Sequence, residues 1–536
     1  MKVGIKASVH DRTQIELDFD YCTLVEGTGV GAGIKKEGCG IDFYFFIPNS
    51  FGINSGTYSR DQFYNDLTNH IRLHTPVTSG SLLDPLNSLK EYFSSTTLAS
   101  RKAELVPLVC QQIKYFGNSV NHRLKSIHLS ITKLCSDANE AADNAASRSF
   151  MSDSAYKFEA EELSDEIEKV RSLYIEQVRD PSLTVDAKVR KALLVVDEYV
   201  VNRVISAYSS LVQNCFKSDV SKVPLLKSSI LNILIKEHRY RQHHGNLYVG
   251  KRKDTIEQEY FYYRHNLLKK YVSRPLYIQK KSFKQERIYR NWLAGMGAAL
   301  AGLWAQIADY QAHRMAHKGD LGLSFVGVAL IAILIYVFKD RIKDLSKEYF
   351  NEKLKAYLPD FKVVLFHELI TPSVKPKKVP LGSYQEFVRF LDSPSIPAEV
   401  QFIRKLTGRR DIGEEHLERI IHYNRKIKLD FNNLKKTVAG ATATKDILRF
   451  NFSSFLDHLD DNLKSLSFYD ENEGVGEVRA PRVYHLNLIV QVATKTRNQF
   501  AHFRIILDKI GIVRLEKIGD PDSLSYVLKA VNEIEG

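Results

Sequence analysis

Leu321–Phe338 reads LGLSFVGVALIAILIYVF, eighteen residues without a charge. As a helix rising ~1.5 Å per residue, such a run crosses most of a ~30 Å hydrocarbon layer. Upstream, Trp292–Ala308 (WLAGMGAALAGLWAQIA) is also uncharged, though richer in Ala and Gly and carrying Gln306. Its small residues recur four apart at Ala294, Ala298 and Gly302, the spacing that lets membrane helices approach closely. Gly327 on the second run would supply the facing surface. The pair predicts a transmembrane hairpin within residues 291–338.

The flanks support that reading. Between Lys236 and Arg290 stand fifteen Lys or Arg against five acids, a surplus of ten within a chain whose net charge is +13. Lys339, Arg341, Lys343 and Lys347 follow the second run, whereas the connecting turn carries only Arg314 and Lys318. Cations gather on the cytoplasmic side of membrane segments, so both termini are expected in the cytoplasm, in a multi-pass inner-membrane protein. Lys269, Lys270, Lys280, Lys281, Lys284, Arg287 and Arg290 are the candidates for anionic lipid headgroups. The first twenty residues alternate and carry acids, unlike the apolar core of a signal peptide.

The chain has 536 residues, 44% hydrophobic and 26% charged, which excludes a disordered chain and a many-spanning transporter. Its five cysteines form no Cys-x-x-Cys pair, so neither a disulfide framework nor a zinc module is indicated.

Residues 1–80 read as a β-rich module. Val3, Ile5, Ala7 and Val9 alternate with polar residues, as do Ile15, Leu17, Phe19 and Tyr21, and Ile41–Ile47 is a more buried third strand. Four alternating glycines, Gly27 to Gly33, form a hairpin connection and not a phosphate loop, because no helix or Gly-Lys-Ser/Thr follows. Ser59-x-x-Gln62 is a capping box, with Phe63, Leu67 and Ile71 at helical spacing. Residues 81–240 form an antiparallel helical bundle. Leu105, Val109, Ile113, Phe116, Val120, Leu124, Ile127 and Ile131 step by three and four, as do Val189, Leu193, Val196, Val200, Val204, Tyr208 and Leu211. Residues 241–290 are a basic juxtamembrane segment, 339–358 a helix after the membrane, and 359–536 a C-terminal α+β domain. In that domain Ser383-x-x-Glu386 caps a helix, helical patterns run to about Lys428, and a β-meander starts at Leu466.

Two constellations could carry chemistry. Asp309, His313 and His317 lie four residues apart and would stack on one helix face as ligands for a divalent metal, or as plain polar residues marking a helix entering water. The run Arg497-Asn498-Gln499-Phe500-Ala501-His502 resembles the Arg-Asn-x-x-x-His signature of the HEPN ribonucleases. That resemblance implies a helical site in which Arg497 stabilises phosphate charge and His502 transfers protons. The strand-like alternation of the flanking residues argues against a helix there.

The fold class expected is therefore an α+β multi-domain membrane protein. Its function would be that of a non-enzymatic scaffold, sensor or membrane effector, homo-oligomeric, without cofactor, joined to an unidentified cytoplasmic protein and to anionic lipids. Nucleic acid is not an expected partner. A membrane-tethered HEPN-like ribonuclease is the alternative.

Overall fold

In the computed structural model the described residues are all but 1, 23–36, 76–80, 84–85, 95, 141–145, 181, 216–223, 246–253, 318–329, most of 331–357, 372–373, 392, 407–417, 438–442, 473, 495–497 and 520–536. Strands from the two ends of the chain build a sandwich of two antiparallel sheets. The smaller sheet has the order β1-β2-β9-β4, from Lys2–Val9, Gln14–Cys22, Ala443–Asn451 and Leu67–Leu73. The larger runs β14-β13-β12-β3-β8-β7-β6-β5. Its strands are β3 (Glu37–Pro48), β5 (Gln279–Lys284), β6 (Phe361–Thr371), β7 (Val374–Leu391), β8 (Glu418–Leu429), β12 (Tyr484–Ala493), β13 (Asn498–Asp508) and β14 (Gly511–Ile518).

The alternation read in the sequence is what makes the sandwich. Ile15, Leu17, Phe19 and Tyr21 bury one face of β2 against Ile41, Phe43, Phe45 and Ile47 of β3, in a single apolar core shared by both sheets. Because β3 pairs with β8 on one side and β12 on the other, residues 1–80 and the C-terminal strands share sheets. On the far face of the large sheet, Tyr44, Phe46, Ile420, Ile489 and Phe500 pack beneath the amphipathic helix Ala398–Leu406 through Val400 and Ile403. A two-stranded arm, β10 (Leu463–Asp470) with β11 (Gly474–Pro481), stands apart from both sheets.

Two excursions leave the sandwich and return to their point of departure. The first follows β4 and holds α2 (Asn87–Phe93), α3 (Ala99–Glu140), α4 (Ala146–Val170), α5 (Glu176–Arg179), α6 (Ala187–Cys215), α7 (Pro224–His243) and α8 (Thr255–Ser273). It closes where the Ile278 amide donates to the Ile71 carbonyl at 2.9 Å. Its helices pack along the stripes of Leu105–Ile131 and Val189–Leu211, around Val109, Val120, Val196 and Val204. Gly117 lets α8 lie close: a Cβ there would stand 2.9 Å from Val196 and 3.0 Å from Val272. Between α4 and α5 a π-helical turn, Arg171–Ile175, carries the buried Arg171 to Asp197 and Glu237. The second excursion starts from β5 with α9 (Gln285–His317) and ends where the Gln285 amide donates to the Asp360 carbonyl at 3.1 Å.

The structure corrects several expectations. Among the described residues, no helix is long and apolar enough to cross a membrane. α9 carries the whole Trp292–Ala308 run, but its glycines, Gln306 and the flanking Asn291 and Asp309 keep it short of that hydropathy. Most of Leu321–Phe338, with Gly327, and most of the expected helix 339–358 lie outside the described residues. The transmembrane hairpin is not supported, and the two-pass inner-membrane assignment and the membrane-effector function fall with it. Ser383 and Glu386 lie within strand β7, where no helix starts, and the supposed helix ending at Lys428 is strand β8. The Ser59 capping box is present, but its helix, α1 (Arg60–Asp66), stops before Leu67, and Leu67 and Ile71 belong to β4. The four glycines 27–33 lie outside the described residues.

One glycine fixes the register of the large sheet. Gly382 sits beside the irregularity between β6 and β7 with φ at +157°, and a Cβ there would stand 2.2 Å from the Lys428 carbonyl oxygen. Backbone on a central strand cannot retreat, so Gly382→Ala is expected to cost about 1–3 kcal/mol. Urea unfolding of the two proteins checks this; an unchanged midpoint would mean that the strand shifts freely.

Candidate functional site

Where the bundle meets the edge of the small sheet, cations from distant parts of the chain converge on a groove. The groove encloses about 330 Å³ between α3 and α6. Leu124, Leu129 and Ala207 give it apolar walls, and Lys125, His128, Arg203, Ser206 and Ser210 supply the polar groups. Packing accounts for the opening. Further along, Leu268 and Val272 of α8 fill the space over α3 and α6, whereas here α6 presents only Ser206, Ala207 and Ser210.

Basic groups dominate the electrostatics. Lys125 stands open to solvent but within a concavity, and its pKa is lowered by burial, then by Arg203, Arg72, Lys269 and Lys445. His122 is lowered by burial, His74 and Lys125, and His265 by burial, Arg203 and Lys269. Two of these groups have acidic partners: Lys445 pairs with Asp18 at 2.5 Å, and His74 lies 3.0 Å from Asp20. Arg203 is aimed by its Nε–H, which donates to Asn121 Oδ1 at 2.7 Å. Arg72, Lys125, Arg203 and Lys269 carry no salt bridge among the described residues. Tyr262, 68% exposed, lies one helical turn before His265 on α8.

A second polar cluster is buried between the sheets. Arg425 of β8, with no solvent exposure, places Nη1 2.9 Å from Oδ2 of Asp446 on β9. Tyr21 donates to the same Oδ2 at 3.1 Å, the Arg425 guanidinium lies 4.0 Å from the Tyr384 ring centre, and Tyr423 donates to Glu386 at 2.6 Å. Burial pushes the Asp446 and Glu386 carboxyls up, against the pull of Arg425.

The sites read from the sequence are dispersed. Several of the described candidate headgroup cations are engaged elsewhere. Lys280 turns inward and donates to the Asn69 carbonyl at 2.8 Å, Lys284 pairs with Asp61 at 3.1 Å, and Lys281 lies over the Phe283 ring. Lys269 is exposed and acts on Lys125 through its charge, and Lys270 is exposed near the end of α8. Arg287 and Arg290 lie on α9, where only their backbone is described. On α9, Ala298 is exposed and a Cβ added at Gly302 would meet nothing within 4 Å, whereas Ala301 is buried. Of Ala294 only the backbone is described. Asp309 is on the same helix, but the side chains of His313 and His317 are outside the described set. Among the described residues no cluster of three or more His, Cys, Asp or Glu could hold a metal.

The HEPN resemblance meets a different setting. Arg497 lies outside the described residues, and His502 belongs to strand β13, where the resemblance requires a helix. The His502 side chain is fully buried on the face covered by the helix Ala398–Leu406, with Nε2 3.1 Å from Asn487 Oδ1. Burial, then Arg404 and Arg504, lower its pKa to about 3.

Sequence reasoning missed both clusters. Lys125 and Arg203 sit on the solvent side of stripes read only for their apolar members, and Arg72 and Lys445 come from strands nearly four hundred residues apart. Comparison with known protein families, with curated proteins and with solved structures finds no match for this chain.

Proposed function

We propose that this protein binds a phosphate-bearing small molecule of about nucleotide size in the groove between α3 and α6. The observation that carries the reading is that Lys125 and Arg203 line a concave space of about 330 Å³, with Arg72 and Lys269 near enough to act on Lys125 and none of the four in a salt bridge among the described residues. That volume lies at the lower end of the ~300–1,000 Å³ common for ligand pockets. Arg203 and Lys125 would take the phosphate oxygens, because charge-assisted hydrogen bonds in a sheltered concavity are the strongest a side chain offers. Leu124, Leu129 and Ala207 offer an apolar wall for a planar base, with the Ser206 and Ser210 hydroxyls for its polar edge. Burial and, after it, the neighbouring cations lower the pKa of Lys125, and a bound anion would offset the second of these.

The reading is of a receptor, since the converging groups attract charge. Calorimetric titration with AMP, ATP and pyrophosphate tests it. Each charged contact is worth about 1.5–3 kcal/mol, so Lys125→Ser with Arg203→Ser is expected to weaken binding at least ~100-fold while the fold is retained. Added salt should weaken the wild-type interaction as well. No heat with any of the three probes, or equal affinity in the double variant, would refute the proposal.

A further inference from the structure

The cluster between the sheets has a property that the groove lacks. Arg425 is wholly enclosed, yet Nε, Nη1 and Nη2 make no hydrogen bond of good geometry among the described residues. Its approach to Asp446 at 2.9 Å is an ion contact without alignment, and Asp446 Oδ2 already accepts from Tyr21. Around it Asp446 Oδ1, Asn69 Oδ1 and Thr444 Oγ1 are buried and unbonded too. A guanidinium offers five N–H donors in a planar fork, and enclosing it without partners is among the costlier arrangements in a protein interior. The neighbours narrow the choice of ligand. Tyr384 Oη accepts from Asn69 Nδ2 at 3.2 Å and keeps its own O–H to donate. Lys280, on the edge strand β5, reaches in from the solvent side to the Asn69 carbonyl.

We infer that a small singly charged oxyanion of the carboxylate class binds between the sheets, held by the Arg425 fork and the Tyr384 hydroxyl, with Lys280 at the entrance. The fork matches the two oxygens of a carboxylate in one plane. Arg425 and Lys280 stand against Glu386 and Asp446, whose carboxyls burial pushes up, so a ligand of low charge fits this site better than a dianion. Asn69 Oδ1, beside the Tyr384 hydroxyl, can accept from a polar substituent on the ligand. This site is separate from the groove and does not depend on its assignment.

Thermal unfolding of the full chain in formate, acetate or bicarbonate, against chloride at equal ionic strength, is the test. A saturable rise of about 3 °C or more is expected with at least one oxyanion. It should persist in the Lys125→Ser/Arg203→Ser protein and disappear in Arg425→Gln. Should Arg425→Gln fail to fold, Lys280→Met decides, since its head group lies at the entrance; the midpoint of the response should move at least ~10-fold to higher anion concentration. Crystals grown in acetate should show a planar oxyanion on the Arg425 fork. No rise beyond chloride, a rise unchanged in Lys280→Met, or only water on Arg425 in those crystals would overturn the inference.

Discussion

Replacing Arg171 by methionine is expected to destabilise the protein by about 3–5 kcal/mol, a large loss for a single substitution. The side chain is 6% exposed, and its acidic partners Asp197 and Glu237 are 1% and 2% exposed. Nη1 and Nη2 donate to the two oxygens of Glu237 at 2.7 and 2.9 Å, while Nε donates to Asp197 at 3.0 Å. Burial opposes the charge on Arg171, but Glu237 and Asp197 outweigh it and raise the pKa above its usual value. Arg179 and the Tyr240 hydroxyl complete the shell of Asp197, at 3.1 and 2.8 Å. Methionine matches the length of the stem but leaves Glu237 without its bidentate partner in a dry interior. The loss therefore comes from a stranded carboxylate more than from the ion pair itself. Urea unfolding should show a lower midpoint, and adding Glu237→Gln should restore part of the loss, because a neutral amide costs less to bury unpaired. If the second substitution adds to the first, the two residues do not act as a unit.

The π-helical turn at Arg171–Ile175 explains how Arg171 reaches these partners. One extra residue in the turn rotates the next helical segment by about 100°, so Arg171 can face α6 and α7 while Leu163 and Ile167 before it keep their apolar stripe. In the sequence Val170 and Tyr174 continue that stripe, and nothing marks the insertion. The stripe itself was legible: Leu105 through Ile131 and Val189 through Leu211 are buried as their spacing requires. So were the alternating strands β1 and β2, and the meander of β12 to β14. β8 was not legible, for a physical reason. It is covered on both faces, by the sandwich core at Ile421, Tyr423 and Ile427 and by the helix Ala398–Leu406 at Ile420. From Ile421 to Leu429 burial still alternates residue by residue, but Arg425 occupies one of the inward positions, and a charge at a core position breaks the hydrophobic period of two in the sequence. Ser383 and Glu386 imitate a cap, although Glu386 is spent on Tyr423. The groove was hidden because its cations are set by tertiary contact, while the eye is drawn to the linear block at 236–290. Of the two apolar runs only Trp292–Ala308 lies on a described helix, and no described helix reaches the hydropathy needed to cross lipid.

His502 provides the second large effect, as a dependence on pH. Its imidazole is fully buried, flanked by Arg404 and Arg504, and its pKa is lowered to about 3 from the ordinary 6.5. Above pH 6.5 the ring is neutral in both the folded and the unfolded chain, so it adds no pH dependence there. Below 6.5 the unfolded chain takes up a proton that the folded chain refuses until about pH 3. Stability then falls by about 1.4 kcal/mol per pH unit from this residue alone, roughly 3 kcal/mol by about pH 4. His70, His122 and His265 are lowered as well, chiefly by burial, and steepen the same limb. His502→Gln isolates the contribution, since an amide can still donate to Asn487 Oδ1 but does not titrate. The wild type and His502→Gln should differ by a constant amount above about pH 7, and the variant should gain relative stability steadily as the pH falls to about 4. A difference that stays flat over that range would show that the ring is protonated in the folded state or open to solvent. The same measurement bears on proton transfer. A histidine that serves as general acid or base titrates near the working pH. One held neutral beneath the helix Ala398–Leu406, against Asn487 at 3.1 Å, serves packing instead.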